Sequence, residues 1–220
     1  VSYAFFNNVT YVHPKVPTLT TVLTSGKYAN DPRIYGNNIN AYVLQRGEIV
    51  EVVLNNYDPG KHPFHLHGHN FQIVQQSPGY HEDGNYPPED QDKISVPYNE
   101  SAPLMPFPEK PALRDTVLLH SNGHTVLRFK ADNPGVWFFH CHVDWHLTQG
   151  LASVFIEDPL ALQEANVLSD NYKEVCSAAG IPNKGNAAGH SDDWFNMNGL
   201  PRQPKPLPTG FTAKGYIAFI

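Results

Sequence analysis

The chain has 220 residues, 40% of them hydrophobic and 12% aromatic, so it can bury a core as one large domain or as one domain with a tail. Only 16% of the residues are charged and the net charge is −6, which argues against the basic surface of a nucleic-acid-binding protein and suits attraction of a cation. Twenty prolines and sixteen glycines indicate many turns, and therefore β-structure joined by long loops.

The first residues show no basic region followed by an apolar run, so no signal peptide is predicted there. No run of 18 apolar residues predicts a membrane-spanning helix. Two N-x-S/T sequons, at Asn8 and Asn99, modestly favour a secreted or extracellular-facing glycoprotein.

Residues 42–157 contain several short apolar segments that predict strands. The first two are separated at Arg46 and Gly47, and a later one, HTVLRFKAD, alternates cleanly between apolar and polar positions. Short strands separated by Gly and Pro turns predict an all-β sandwich or barrel. The polar, proline-rich segment 77–111 is too long for a hairpin loop, and we interpret it as an insertion.

The character of the sequence changes after residue 159. Leu160, Val167 and Val175 have roughly helical spacing, and Gly180 is a suitable helix stop, so a helix is predicted here. Residues 181–215 are rich in Gly, Pro and Asn, which predicts an extended arm.

The segment WFFHCHVDWH, residues 137–146, places a cysteine between two histidines. Side chains alternate along a strand, so His140 and His142 are expected on one face and Cys141 on the other. His146 follows the end of the strand and can turn back to the cysteine's side. A thiolate with two imidazoles is the ligand set of a blue-copper site.

A second histidine for that set is expected from HPFHLHGH, residues 62–69. His65 and His67 are two positions apart and share a face. His62 precedes a proline that redirects the chain, and we assign it to the site of Cys141 and His146. Two histidine pairs on adjacent strands would then face each other as half of a multicopper cluster.

Other interpretations of these residues exist. A free cysteine is often a small buried hydrophobic residue, and zinc also binds Cys and His. Seven ligand-type residues in two short, correctly patterned segments favour copper over both. The remaining histidines are interpreted as ordinary surface or core residues. Cys141 and Cys176 have such different contexts that no disulfide between them is predicted.

Both histidine motifs resemble the copper motifs of the carboxy-terminal cupredoxin domain of multicopper oxidases. Longer segments, including NNYDPGKHPFHLHGHNFQIVQ and GVWFFHCHVDWHLTQGLASVFIEDP, resemble the fungal iron-transport ferroxidases. These plasma-membrane enzymes oxidise Fe(II) with O2 and hand Fe(III) to an iron permease. The resemblance implies a cupredoxin Greek-key β-sandwich or barrel over residues 1–160, followed by a short helix and an extended tail over 161–220.

The resemblance also implies a role for each ligand-type residue. His62, Cys141 and His146 match type 1 copper ligands, His65 matches a type 2 ligand, and His67, His140 and His142 match type 3 ligands. Electrons would pass from type 1 copper through Cys141 and its histidine neighbours to the cluster that reduces O2. Leu151 occupies the axial position of type 1 copper and cannot ligate, so a relatively high reduction potential is expected.

Two further residues match the family's iron site. Asp58, four residues before His62, matches a carboxylate that holds Fe(II), and Tyr3 matches a tyrosine at that site. A third element, a glutamate of the family's middle domain, has no counterpart in this sequence. Two alternatives stay open: a laccase-type phenol oxidase, and a non-catalytic copper-binding cupredoxin that carries electrons or buffers copper.

A trinuclear cluster needs eight histidines, and this chain supplies four. The resemblance implies that an amino-terminal cupredoxin domain of the same polypeptide supplies the others. A partner for Cys176 is expected outside this domain. The apolar end, residues 216–220, is expected to lead towards a carboxy-terminal membrane anchor that holds the enzyme at the cell surface.

Overall fold

The computed structural model describes residues 4–78, 96–103 and 105–203. Within these ranges, nine strands form two packed sheets, and the helices are short. The strands are β1 (Ala41–Leu44), β2 (Ile49–Asn55), β3 (His62–Leu66), β4 (Phe71–Gln76), β5 (Ala112–Arg114), β6 (Thr116–Leu119), β7 (His124–Lys130), β8 (Gly135–Cys141) and β9 (Ala152–Glu157). The α-helices are α1 (Thr18–Thr24), α2 (Asp144–Thr148), α3 (Pro159–Ala165) and α4 (Asp170–Ala178), and 3-10 helices cover Gly26–Asn30 and Pro32–Tyr35.

The chain passes repeatedly from one sheet to the other. The first sheet has the order β1-β9-β8-β3-β6, and the second has the order β2-β7-β4-β5. Among these described strands, neighbours are antiparallel except β1 and β9, which are parallel. Such crossing connections are those of a Greek-key sandwich, and the predicted all-β cupredoxin fold is confirmed.

The main core lies between the two sheets and is built from the inward-facing residues of both. Phe64 and Leu66 of β3, Leu127 of β7 and Phe139 of β8 are almost fully buried in it. Cys141 belongs to the same cluster and has no exposed surface. The cysteine of the HCH motif therefore lies in a dry, apolar interior.

The outer face of the first sheet is covered as well. Val154 and Ile156 of β9 pack against Val22 of α1, Ile34 of a 3-10 helix and Leu162 of α3, which form a second core. All six residues of β9 are buried, as is typical of a strand covered on both faces. Strand β8, which pairs with β9 along most of its length, is thus held firmly on one side.

The single helix predicted near residues 160–180 is in fact two helices, so this part of the prediction is wrong. Helix α3 ends at Ala165, and the backbone of the next residue, Asn166, is extended, with φ −138° and ψ 142°. Helix α4 begins anew after Ser169, whose side chain accepts a hydrogen bond from the Tyr172 N–H. An N-cap serine favours a fresh start over a continuous helix.

Residues 181–203 contain no helix or strand, but they do not form a free arm. The backbone of Ala187 bonds to Lys15 and Ile34. The side chain of Asn186 is fully buried and donates to the carbonyls of Asp193, Trp194 and Asn196. Composition predicted the lack of regular structure but not this anchoring, because the anchoring depends on one buried amide.

Part of the predicted insertion lies on the outer face of the second sheet. His124 of β7 bonds through Nδ1 to the Val96 carbonyl at 2.8 Å, and Gln75 of β4 donates to the Met105 carbonyl at 2.8 Å. Both side chains are buried. Residues 79–95 lie outside the described residues.

Gly150 links α2 to β9 in a position that excludes a side chain. Its φ is +99°, and a Cβ there would meet the Thr10 methyl group and the Tyr11 backbone. We expect Gly150→Ala to lower the free energy of unfolding by about 3 kcal/mol, since strain and overpacking combine. Gly47→Ala, with φ +85° and open space around it, is the matched control and is expected to cost only about 1 kcal/mol. Urea denaturation of the metal-free chain measures both, and equal costs would contradict the expectation.

Candidate metal centre

The pairing of β3 with β8 separates the ligand-type residues onto two faces. Phe64 lies opposite Cys141, and His65 lies opposite His140. Because the two strands alternate in step, Phe64 and Cys141 point into the main core while His65 and His140 point outward. The predicted division of the HCH motif is what the structure has.

Three side chains meet on the inward face. The Nδ1 atoms of His62 and His146 are 3.2 Å apart, and they lie 3.8 and 3.6 Å from the Cys141 Sγ. Among the residues that the structure describes, these three are the group of possible metal ligands whose ligand atoms all lie within 4.8 Å of one another. This cluster is called the inner site below.

The inner site has the size and chemistry of a metal site. A point equidistant from the three atoms lies about 2.1 Å from each, within the range of about 2.0–2.3 Å for bonds from metal to imidazole nitrogen or thiolate sulfur. One thiolate and two imidazoles in a triangle form the donor set that blue copper prefers. The residues present therefore fit copper.

His62 reaches the inner site by a different route from the one the sequence suggested. Pro63 does not redirect the chain but lies within β3, opposite Leu118 of β6. His62 therefore points inward by simple alternation with Phe64 and Leu66. His146 arrives as predicted, because α2 begins three residues after Cys141 and turns its side chain back.

Asp58 sets the electrostatics of the inner site. Its Oδ1 lies 3.4 Å from the His62 Nε2, and its side chain remains 60% exposed. Burial disfavours the charged form of His62, but its hydrogen bonds to Asp58 and Cys141 outweigh burial and raise its pKa to about 9 in the metal-free chain. The hydrogen bond from His62 in turn lowers the pKa of Asp58. A bound metal would replace the proton on His62.

Leu151 lies beside the inner site and offers no ligand atom. Its carbonyl accepts from the Cys141 N–H at 3.1 Å, and its N–H donates to the His146 carbonyl at 2.9 Å. The residue is buried and lines the same cleft as His62 and His146. Two hydrogen bonds to the ligand-bearing segments thus hold Leu151 in the wall of this cleft.

The outward face carries four histidines, which we call the outer face. They form a ring in the order His65, His67, His140 and His142. The distances between the centroids of neighbouring imidazoles, taken in that order and ending with His142 to His65, are 5.0, 5.2, 5.5 and 6.2 Å. The Nε2 atoms of His67 and His140 are 3.1 Å apart. His67 and His142 are exposed, His65 is half-buried and His140 is buried, so one side of this set opens to the surface.

Hydrogen bonds orient two of these rings. His65 Nδ1 bonds to the Asp115 carbonyl at 2.9 Å, and His140 Nδ1 bonds to the Cys141 carbonyl at 3.0 Å. Metal-binding histidines characteristically use one ring nitrogen in this way and keep the other for the metal. Partial desolvation of its ring, together with repulsion from neighbouring histidines, lowers the pKa of His67, which favours the neutral, ligating form.

A cleft of about 700 Å³ opens beside the inner site. His62, His146, Asp58 and Leu151 line its floor and edge. Exposed apolar side chains surround it, namely Phe5, Val53 and Tyr57. Tyr3, the other residue assigned to the iron site, lies outside the described residues.

Two groups of residues around the metal centre were not predicted from the sequence. Asn56 is buried and bonds to the loop that carries Asp58. His69, interpreted as ordinary, bonds through Nε2 to the buried carboxylate of Glu157 at 2.7 Å and so ties the end of the histidine motif to β9. The spacing of Asn56, Asp58 and Gly60 is a turn signature that could have revealed the first group.

Comparison with known proteins identifies relatives of the whole chain. The multicopper oxidase family model matches residues 11–161. The chain is 70% identical to the iron transport multicopper oxidase FET5 of Saccharomyces cerevisiae, covering all of this chain and 35% of that protein. It is 51% identical to the iron transport multicopper oxidase FET3 of Candida albicans, covering all of this chain and 34% of that protein. The chain thus spans about a third of the length of these relatives.

Solved structures agree with these matches. The crystal structure of Fet3p, a multicopper oxidase that functions in iron import, superposes with a TM-score of 0.77 at 50% identity, covering 84% of this chain and 34% of that one. A mutant laccase from B. aclada superposes with a TM-score of 0.56 at 26% identity, covering 82% of this chain and 31% of that one.

The two faces can be tested separately. We expect His62→Ala to abolish the visible absorption that a copper–thiolate bond gives, because it removes one of the three inner ligands. His67→Ala is the matched control: it removes an equivalent ring from the outer face and is expected to retain the band. Copper titration of the chain followed by visible spectroscopy measures both. Loss of the band in both variants, or in neither, would show that the inner site is wrongly assigned.

Leu151 is expected to govern the reduction potential of copper in the inner site. Leu151→Met adds a thioether that can approach the metal and stabilise Cu(II), so the potential should fall. Leu151→Ile keeps the position apolar and is expected to leave the potential close to its original value. Redox titration of the visible band compares them, and an unchanged potential in the methionine variant would refute the axial assignment.

Proposed function

The chain belongs to the multicopper oxidase family, and from that membership we propose that it is the third cupredoxin domain of an enzyme that oxidises Fe(II) and reduces O2 to water. The observation that carries this proposal is the two-sided arrangement around Cys141. A complete three-ligand site lies on one face, and four histidines lie on the other. We assign residues 1–160 to the cupredoxin domain and 161–220 to its carboxy-terminal extension.

The proposed roles divide between the two faces. Copper bound by His62, Cys141 and His146 would supply a one-electron acceptor at the inner site. Cys141 is joined by peptide bonds to His140 and His142, so only a few covalent bonds separate the inner sulfur from the outer face. We assign this segment as the electron path between the faces.

The outer face supplies half of a cluster. His65 is assigned to type 2 copper, and His67, His140 and His142 are assigned to type 3 copper. The exposed rings of His67 and His142, beside the oriented rings of His65 and His140, are suited to a metal shared with another surface. We propose that the amino-terminal cupredoxin domain of the same polypeptide covers this face and contributes four more histidines.

Asp58 is proposed to bind the iron. A carboxylate is a hard oxygen ligand and stabilises Fe(III) more than Fe(II), which eases loss of an electron. Its exposure leaves it free to meet an ion from the cleft, and its contact with His62 places that ion next to an inner-site ligand. Tyr3 and a glutamate from the middle domain would complete the iron site.

A second candidate substrate is a phenol. The exposed apolar side chains of Phe5, Val53 and Tyr57 around the cleft would suit an aromatic ring. Asp58 favours iron over this alternative, because a carboxylate is a direct ligand for a metal cation and offers a phenol only a hydrogen bond to its O–H. A non-catalytic copper carrier is the weakest candidate, since it would have no use for the four outer histidines.

The setting of the enzyme is likewise a proposal. We place it at the cell surface beside an iron permease, with glycans at Asn8 and Asn99. Asn99 is exposed, and its Oδ1 accepts from the Ser101 N–H. In the part of the chain that the structure describes, no helix is long and apolar enough to cross a membrane. A membrane anchor is therefore proposed from the family resemblance alone.

Substrate preference provides the test of the proposal. In the natural, copper-loaded gene product, we expect Asp58→Ala to lower kcat/KM for Fe(II) at least tenfold, about 1.4 kcal/mol, while kcat/KM for a phenol changes little. Asp132→Ala is the control, because it removes a similarly exposed carboxylate elsewhere. Steady-state oxygen uptake with each substrate measures the effect. Equal losses with both substrates, or no loss with Fe(II), would reject Asp58 as the iron ligand.

A further inference from the structure

The loop between β2 and β3 carries Asp58 in a pair of overlapping turns. The Asn56 Oδ1 accepts from the Asp58 N–H at 3.0 Å, and the Asp58 Oδ1 accepts from the Gly60 N–H at 2.5 Å. Each is an Asx turn, in which a side-chain oxygen bonds to the backbone two residues later. The first turn fixes the backbone of Asp58, and the second fixes its carboxylate.

The side chain of Asn56 also closes the loop from beneath. Its Nδ2 donates to the Gly60 carbonyl at 2.8 Å and to the His120 carbonyl at 2.9 Å. The carboxamide thus bonds to the backbone of Asp58, to the backbone of Gly60 two residues later, and to the His120 carbonyl in the turn after β6. Asn56 is only 5% exposed, so these bonds form in an interior where losing them is costly.

The turn at residues 120–123 completes the support. The Asn56 N–H donates to the Gly123 carbonyl at 2.8 Å, and the Asn122 N–H donates to the Asp58 carbonyl at 3.1 Å. Asp58 itself remains largely exposed, so little packing holds its carboxylate beside His62. The buried Asn56 amide below the loop holds the backbone of Asp58 and Gly60, on which the position of that carboxylate depends.

We propose that Asn56 is a positioning residue that holds the Asp58 carboxylate against His62 and thereby sets both the affinity for Fe(II) and the reduction potential of the inner site. The affinity part rests on the proposed function of Asp58, and the potential part does not. A fixed anion 3.4 Å from His62 stabilises the more positive copper state, so releasing it raises the potential. Asn56 touches neither substrate nor metal in this account and acts through Asp58.

The test uses the natural, copper-loaded gene product with Asn56→Ala, Asp58→Asn and the double variant. Asn56→Ala is expected to raise KM for Fe(II) about tenfold with little change in the KM for a phenol, and to keep the visible copper band. Its reduction potential should rise, as in Asp58→Asn. The double variant should be no worse than Asp58→Asn alone, because a residue that acts only through another adds nothing once that other is removed.

Asn186→Ala is the matched control for lost stability. Asn186 is also a buried amide with several backbone hydrogen bonds, but it lies in the carboxy-terminal segment. It is expected to change neither KM for Fe(II) nor the potential. If Asn56→Ala fails to retain copper, Asn56→Ser takes its place. The serine keeps an oxygen for the Asp58 N–H but loses the amide that donates to the Gly60 and His120 carbonyls. The same rises in KM for Fe(II) and in reduction potential, smaller in size, are expected.

The outcomes separate this inference from the proposed function. If Asp58→Asn leaves Fe(II) oxidation unchanged, the iron role fails, and the positioning role is then decided by the reduction potential alone. A rise shared by Asn56→Ala and Asp58→Asn supports it. An unchanged potential in either variant, or equal effects in Asn186→Ala, overturns it.

Discussion

The metal centre depends on the register between β3 and β8. Phe64 opposite Cys141 and His65 opposite His140 place one set of ligands in the core and the other at the surface. A slip of one residue would turn Cys141 outward and His140 inward, because side chains on a strand alternate. The buried faces of both strands resist such a slip, since it would expose Phe64, Leu66 and Phe139 to water.

The two faces differ in how complete they are. The inner site brings its three possible ligands together, with Asp58 beside His62 and the buried, apolar Leu151 in the same cleft. The outer face has four histidine rings, and among the described residues they are not part of the group whose ligand atoms all lie within 4.8 Å of one another. Burial accompanies the contrast: the thiolate lies in a dry surrounding, whereas His67 and His142 are exposed and, under the proposed function, share copper with a second domain.

The sequence predicted the fold class and the faces of the ligands, because alternation and motif spacing are local properties. It also predicted that His146 would turn back to the cysteine's side after the strand, although not that a helix, α2, would bring it there. It did not predict that Pro63 stays within a strand, since this depends on pairing with β6. Nor did it predict the support given by Asn56, the pair of His69 and Glu157, or the docking of residues 181–203 through Asn186. Each of these is a contact between distant segments, which a local pattern does not record.

The contrast between the faces also bears on how such a centre would be assembled. All inner ligands lie between residues 62 and 146, so this site is geometrically complete as soon as the sandwich has folded. Under the proposed function, the outer face would acquire its full ligand set only when a second domain docks on it. Metal loading would therefore follow the order of folding: the buried site can be filled in a lone domain, and the shared site must wait for the domains to meet.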